Sequence, residues 1–333
     1  MKALLRADAG IGMGTGHVMR CLTLAEELGA RGHEVVLRGS LGGVGWLDER
    51  VRGAGVTHET CEAGVLDVEA VAGRADVVVV DSYTIDAADV RGLTERMPVL
   101  ALIDGDDRGI RATAYVDANL GAEETPYPPH VARRLWAGSR YALVRRELRA
   151  LRRPPTAALP ASPTVLCLMG GSDPLGLMPR AAAALAALPA EVRLVFVTAP
   201  AWVGVVQEAV GARAGSTVGA QTPRLAELVA EADLVVSAAG TTAWDLCTIG
   251  VPAVFLAVVG NQRPGLRAIV DAGLAPGIDA SEDPTPIDGV GVVVEELLAD
   301  AGRRIGYAER CLQAFDGRGA ERVADILEEL ARG

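Results

Sequence analysis

At 333 residues the chain is long enough for about two domains, each burying its own core. Half of it is hydrophobic while aromatics make up only 4%, so the interior has to be built from Ala, Val and Leu, as in layered α/β folds. A formal net charge of −11 argues against a general nucleic-acid binder, which needs a basic face, but leaves room for one small anion held by a few Arg and backbone N–H groups.

The five cysteines, Cys21, Cys61, Cys167, Cys247 and Cys311, are scattered and form no Cys-x-x-Cys or Cys/His cluster. Neither a disulfide framework nor a structural zinc site is indicated, and reduced thiols of a cytoplasmic protein are the simplest reading. The apolar run in Met1–Asp8 is too short for a signal peptide, and no stretch reaches the length of a membrane span. The expectation is a cytoplasmic protein.

In chain order, short apolar runs alternate with amphipathic segments, the pattern of βαβ units and parallel sheets. Strands are expected at Ala3–Arg6, Glu34–Leu37, Val77–Val80 and Val99–Ile103, with a first helix over Val18–Arg31. Arg152-Arg153-Pro154-Pro155 through Pro160 and Pro163 places four prolines in a stiff, extended stretch. Beyond it, strands are expected at Thr164–Leu168, Arg193–Val197, Leu234–Ser237 and Ala253–Ala257. The organisation read from this is two Rossmann-like α/β domains facing across a cleft, residues 1–151 and 164–333, joined by a linker at 152–163. The last helical pattern, near Gly319–Ala331, fits either domain.

Between the first strand and first helix lies Asp8-Ala9-Gly10-Ile11-Gly12-Met13-Gly14-Thr15-Gly16-His17. Alternating glycines before a helix let the backbone approach a ligand closely, and the helix N-terminus favours negative charge. The spacing does not match the dinucleotide fingerprint, and Arg38 stands where its acid would close the second strand. No Gly-Lys-Ser/Thr exists, which excludes a P-loop. His17 reads equally well as a packed or capping histidine and as a general base near pH 7, with Asp8 placed to orient it. Its position where a strand delivers the chain to a ligand site favours the base. His33, His58 and His130 carry no such signal.

In the second half three polar, glycine-bearing loops follow strands: Met169-Gly170-Gly171-Ser172-Asp173-Pro174, Ala238-Ala239-Gly240-Thr241-Thr242-Ala243-Trp244-Asp245-Leu246, and Val259-Gly260-Asn261-Gln262. Ligands of open parallel sheets bind beyond the carboxyl ends of the strands, where these loops converge. Gly240-Thr241-Thr242 opens a helix and reads as a pyrophosphate cradle, with ordinary N-capping as the plainer alternative. Asp245, one turn on, is expected to accept hydrogen bonds from ribose hydroxyls. Asp173 reads as an Asx turn capping the next helix at least as well as a ligand.

Gly16-His17-Val18-Met19-Arg20-Cys21, Val79-Val80-Asp81-Ser82-Tyr83, Gly138-Ser139-Arg140-Tyr141, Gly170-Gly171-Ser172-Asp173-Pro174 and Asn261-Gln262 occur in this order along nearly the whole chain. In these motifs the sequence resembles the UDP-sugar hydrolases of the pseudaminic acid pathway and their spore-coat-polysaccharide relatives. It is similar, too, to glycosyltransferases such as the cytosylglucuronic acid synthases. The resemblance implies a GT-B fold, UDP held by the C-terminal domain, and an inverting, metal-independent displacement with His17 as base. Carried over by position, Gly14, Gly16, Arg20, Asp81 and Tyr83 serve the substrate. Gly171, Ser172, Gly240, Thr241, Thr242, Asp245, Asn261 and Gln262 serve the nucleotide. No cofactor or metal is implied; the partners are a UDP-sugar and a small acceptor or water. Asp245 departs from the family's Glu, and Met178 from a common Thr. A transferase acting on a small acceptor is favoured over a hydrolase. A UDP-sugar 2-epimerase, whose signatures differ, and a non-catalytic sensor are the competing classes.

Overall fold

A computed structural model describes residues 1–10, 12–170, 173, 175–222 and 224–333. The chain divides into two compact units, Met1–Val144 together with Gly317–Gly333, and Arg145–Asp316.

The first unit is built on seven strands: β1 (Lys2–Ala7), β2 (Glu34–Arg38), β3 (Thr57–Glu59), β4 (Val77–Asp81), β5 (Val99–Leu102), β6 (Ala114–Asp117) and β7 (Leu135–Ala137). Their order across the sheet is β3-β2-β1-β4-β5-β6-β7, and neighbouring strands pair in parallel. The central strands are buried at nearly every position because helices cover both faces. Ala3, Leu5, Val77, Val79, Leu100 and Leu102 pack on one side with Val18, Cys21, Leu22 and Ala25 of helix α1 (Gly16–Ala30). The alternate residues Leu4, Val78, Val80, Val99 and Ala101 pack on the other side with Val90 and Leu93.

The second unit carries six strands: β8 (Thr164–Leu168), β9 (Arg193–Thr198), β10 (Ser216–Ala220), β11 (Leu234–Ala238), β12 (Ala253–Ala257) and β13 (Gly277–Asp279). These are also paired in parallel, in the order β10-β9-β8-β11-β12-β13. Its core is assembled from Val165, Cys167, Leu194, Phe196, Val236 and Leu256 against Met178, Ala181 and Leu185 of the Met178–Leu185 helix.

The eight strands expected from apolar runs are all present. Those not anticipated include β3, β7, β10 and β13, which form the edges of the two sheets. An edge strand has a neighbour on one side only, so it need not carry a continuous apolar run; β10 shows no fully buried residue.

The expected domain boundaries are corrected in two places. Residues 145–151, expected in the first domain, and 152–163, expected as a linker, both belong to the second unit. The Arg152 guanidinium donates to the carbonyls of Thr248, Phe315 and Leu312 at 2.6–2.7 Å. Arg153 donates to Ile249, Ala230 and Ala232, strapping the proline-rich stretch to that unit. The C-terminal helix Gly319–Leu330, provisionally counted with residues 164–333, belongs to the first unit. Val323, Ala324 and Leu327 enter the same core as α1. Arg31 at the end of α1 donates to Asp325, Glu328 and the Glu321 carbonyl.

This return is possible because Gly319 lies against the backbone of residues 141–142. A Cβ there would stand 2.1 Å from the Ala142 carbonyl oxygen. The neighbouring atoms are backbone and cannot step aside. Gly319→Ala should therefore destabilise the first unit by about 1–3 kcal/mol, the usual cost of overpacking, read as a lowered thermal midpoint. An unchanged midpoint would show that the helix is not held by this contact.

Candidate active site

β1 ends at Ala7 and the chain enters the glycine-rich turn. Gly10 and Gly14 exchange backbone hydrogen bonds at 3.1 and 2.7 Å, closing the turn on itself, and Gly14 has a φ of +84° that other residues rarely adopt. Helix α1 then starts at Gly16 with no acid in its first turn and no side-chain cap. His17 and Arg20 are three residues apart and so share one helix face. Both reach the end of β4.

There His17 Nδ1 lies 2.6 Å from Asp81 Oδ1. Arg20 grips the same carboxylate with Nε to Oδ2 at 2.9 Å and Nη2 to Oδ1 at 2.7 Å. Its outer edge grips Asp104, just beyond β5, at 2.7 and 3.0 Å. Arg20 Nη2 also stands 3.1 Å from His17 Nδ1, but both contacts of that nitrogen cannot be hydrogen bonds at once. A carboxylate only accepts, so the shorter contact fixes the proton on Nδ1, and the guanidinium contact is one of proximity. Nε2 is left with its lone pair, and it has no hydrogen-bond partner among the described residues.

Burial would raise the Asp81 carboxyl, but Arg20 and His17 outweigh it and hold the group below its ordinary range. Asp104 follows the same pattern: burial is overcome by Arg20 and by donors from Tyr83 and Asn119. Tyr83 donates its hydroxyl to Asp104 at 2.6 Å and meets the His17 ring edge to face, with centroids 4.4 Å apart. Burial and the Asp104 charge push the Tyr83 phenol well up, so it stays a neutral donor.

Asp8 does not orient His17. Its carboxylate is taken by Arg6 Nη1 at 2.7 Å and by the backbone N–H groups of Ser40 and Gly64, both at 2.9 Å. The Arg6–Asp8 pair is completely buried and supports the loops beside the glycine-rich turn. Asp81 holds the place expected of Asp8. Ile103-Asp104-Gly105-Asp106-Asp107 matches the family's Ile-Asp-Asp element with a departure, but the sequence assigns Asp104 no site role, and Asn119 was missed, although a signal existed. Asp8, Asp81, Asp104 and Asp117 each close one of the four adjacent strands β1, β4, β5 and β6. His33, His58 and His130 have structural partners, namely Glu328, the Gly39 carbonyl and Asp107.

In the second unit, Asp173 accepts from the N–H groups of Leu177 at 2.9 Å and Met178 at 3.0 Å, the helix-capping role foreseen as one reading. Gly171 and Ser172, expected at the nucleotide, lie outside the described residues. Gly240 precedes the Thr241–Ile249 helix at the end of β11, and no side chain caps it. Thr241 and Thr242 are half-buried there. The Gln262 side chain sits beside this turn, its Nε2 within 3.7 Å of where a Gly240 Cβ would be. Its Oε1 accepts from the Val258 N–H at 2.9 Å. Asn261 is exposed in the same segment.

Asp245 is not open to a ribose. It is 4% exposed and accepts from the Arg145 backbone N–H at 3.2 Å and from its Nε at 3.0 Å, with Nη2 closer still. Burial raises its carboxyl despite the pull of Arg145. Among the described residues no group of three or more His, Cys, Asp or Glu side chains is placed to hold a metal ion. Nor is any helix among them long and apolar enough to cross a membrane.

No family model matches the sequence. Over 236 residues the chain is 26% identical to the spore coat polysaccharide biosynthesis protein SpsG of Bacillus subtilis (strain 168). That match covers 69% of this chain and 65% of the relative, so the chain spans just under two thirds of that protein. MurG of Acinetobacter baumannii superposes with a TM-score of 0.64 at 18% identity, covering 99% of this chain and 100% of that one. The spinosyn rhamnosyltransferase SpnG, solved with thymidine diphosphate, gives 0.67 at 18% identity, covering 98% and 100%. The chain is a weak homologue of SpsG with a GT-B fold. Two Rossmann-like units, of seven and six parallel strands, are what the resemblance in the sequence implied.

The Arg145–Asp245 pair yields a prediction that replaces a ribose contact. Asp245→Ala leaves a half-buried guanidinium without its partner and should cost about 2–3 kcal/mol of stability in the second unit. The double variant R145M/D245L should recover much of that loss, as measured by denaturant unfolding. Asp245→Ala retaining full stability while losing UDP affinity would restore the ribose assignment.

Proposed function

We propose that the chain is a nucleotide-sugar glycosyltransferase that breaks the anomeric C–O bond of a UDP-sugar with inversion and passes the sugar to a small acceptor. The observation that carries this reading is the 2.6 Å contact of His17 Nδ1 with Asp81, which leaves Nε2 as a proton acceptor of fixed direction. In the proposed step Nε2 takes the acceptor's proton as the acceptor's lone pair attacks the anomeric carbon. The bond to the diphosphate breaks, and its electron pair leaves with UDP. A single displacement from the face opposite the leaving group inverts the carbon.

The second unit is assigned the nucleotide. The uncapped N-terminus at Gly240–Thr242 offers N–H groups and two hydroxyls to the developing negative charge, which supports a reaction that needs no divalent cation. The neighbour SpnG has been solved with a spinosyn aglycone as well as with thymidine diphosphate, which supports a small-molecule acceptor here. A hydrolase would use the same base on water, and analysis of the sugar product with and without acceptors distinguishes the two.

His17→Asn should lower UDP release from the preferred UDP-sugar by roughly two to four orders of magnitude. Asp81→Asn, which turns an acceptor into a donor at Nδ1, should lower it by a similar order by favouring the wrong tautomer. Calorimetric affinity for UDP alone should be kept in both, and wild-type turnover should survive EDTA. Full turnover in His17→Asn would sink the assignment. Loss under EDTA reversed by magnesium would overturn metal independence.

A further inference from the structure

Beside the His17 site stands a guanidinium that the proposed reaction does not use. Arg108 lies in the loop after β5, half-buried, with its Cζ 5.1 Å from the centroid of the Tyr83 ring. The other partner of that ring is the His17 imidazole. Arg108 and the proposed base therefore contact one and the same phenol.

The nearby acids are all committed elsewhere. Asp104 serves Arg20 and Tyr83. Asp107 serves His130 at 3.2 Å. Asp106 Oδ1 accepts the backbone N–H of Arg108 itself at 2.9 Å, not its side chain. The guanidinium makes a single long contact, 3.4 Å to the Asp106 carbonyl, and has no carboxylate partner among the described residues. Arg20, the other cation of the site, is neutralised by two carboxylates. The uncommitted positive charge at the Tyr83 ring, which His17 also contacts, is thus that of Arg108.

The backbone points the same way. Arg108 has a φ of +49° and Gly109 a φ of +71°, in a turn closed by the Ile110 N–H on the Asp107 carbonyl at 2.8 Å. Both central residues of this turn are left-handed, a position that favours Gly, Asn or Asp. An Arg held there carries strain that its own hydrogen bonds do not explain.

We propose that Arg108 selects a substrate bearing a second oxyanion, a carboxylate or phosphate on the group that reacts at His17. A guanidinium placed over an aromatic ring and without a carboxylate partner keeps N–H groups for the forked, bidentate recognition that such groups offer. This inference rests on the glycosyltransferase reading and names the charge of its substrate. The oxyanion can lie on the sugar or on the acceptor.

The test measures kcat/KM for UDP release in two arms, UDP-glucuronate against UDP-glucose and glycerol 3-phosphate against glycerol as acceptor. Wild type should prefer the anionic member in at least one arm. Arg108→Asn should cut that preference roughly ten- to a hundredfold, mainly through KM, and Arg108→Lys should restore it in part. Asn suits a left-handed turn, so Arg108→Asn should melt no lower than wild type, which separates ligand recognition from a folding defect. No anionic preference in either arm, or a preference that survives Arg108→Asn, would overturn the proposal while leaving UDP release intact. Absence of UDP release from every UDP-sugar would instead overturn the glycosyltransferase reading, and this inference with it.

Discussion

Two carboxylates, the buried Asp81 and the half-buried Asp104, share the single guanidinium of Arg20. One cation against two anions in a poorly solvated place is stable only if further donors make up the difference. They come from His17 Nδ1–H, the Tyr83 hydroxyl and the Asn119 amide. Each of those groups is thereby fixed in orientation. The imidazole is held in one tautomer because Asp81 needs its proton, and the phenol is aligned because Asp104 needs its hydroxyl. A chemical site arises here as the solution of a charge-burial problem at the carboxyl edge of a parallel sheet.

The same constraint accounts for what was and was not legible in the sequence. Apolar runs reveal strands that are buried on both faces, so β1, β4, β8 and β12 were readable, whereas edge strands such as β3 and β10 were not. His17 and Arg20 were legible because they follow a glycine-rich turn at helical spacing. Their shared acid was not, since Asp8 and Asp81 both stand at strand ends and only the register, Ala7 beside Asp81, shows that Asp8 is one residue out of step. Only the three-dimensional pairing shows that Arg6 has claimed Asp8. Asp245 misled for a related reason. Its place one turn into a helix suits a ribose ligand, but Arg145, a hundred positions away in sequence, takes it first. The prolines at 154–163 signalled stiffness correctly; what they could not reveal is that Arg152 and Arg153 bind the stretch to the second unit.

The two units carry different kinds of chemistry. In the first, charged side chains pair with one another and leave the His17 Nε2 lone pair uncommitted among the described residues. In the second, the helix Thr241–Ile249 begins uncapped with two half-buried threonines, while Asp173 and Asp245 are taken by the N–H groups of Leu177 and Met178 and by Arg145. An uncapped helix N-terminus whose Asp245 is already paired suits an anionic ligand held by N–H groups. That contrast is the physical basis for assigning proton transfer to one unit and the nucleotide to the other.

The central claim is that Asp81, clamped by Arg20, sets the His17 tautomer. A 15N-resolved spectrum of the His17 imidazole, recorded where the ring is neutral, tests it most directly. The account predicts a proton on Nδ1, shifted downfield by its short hydrogen bond, and an unprotonated Nε2, with this pattern lost in Asp81→Asn. A proton on Nε2 in wild type, or a spectrum indifferent to Asp81→Asn, would contradict it.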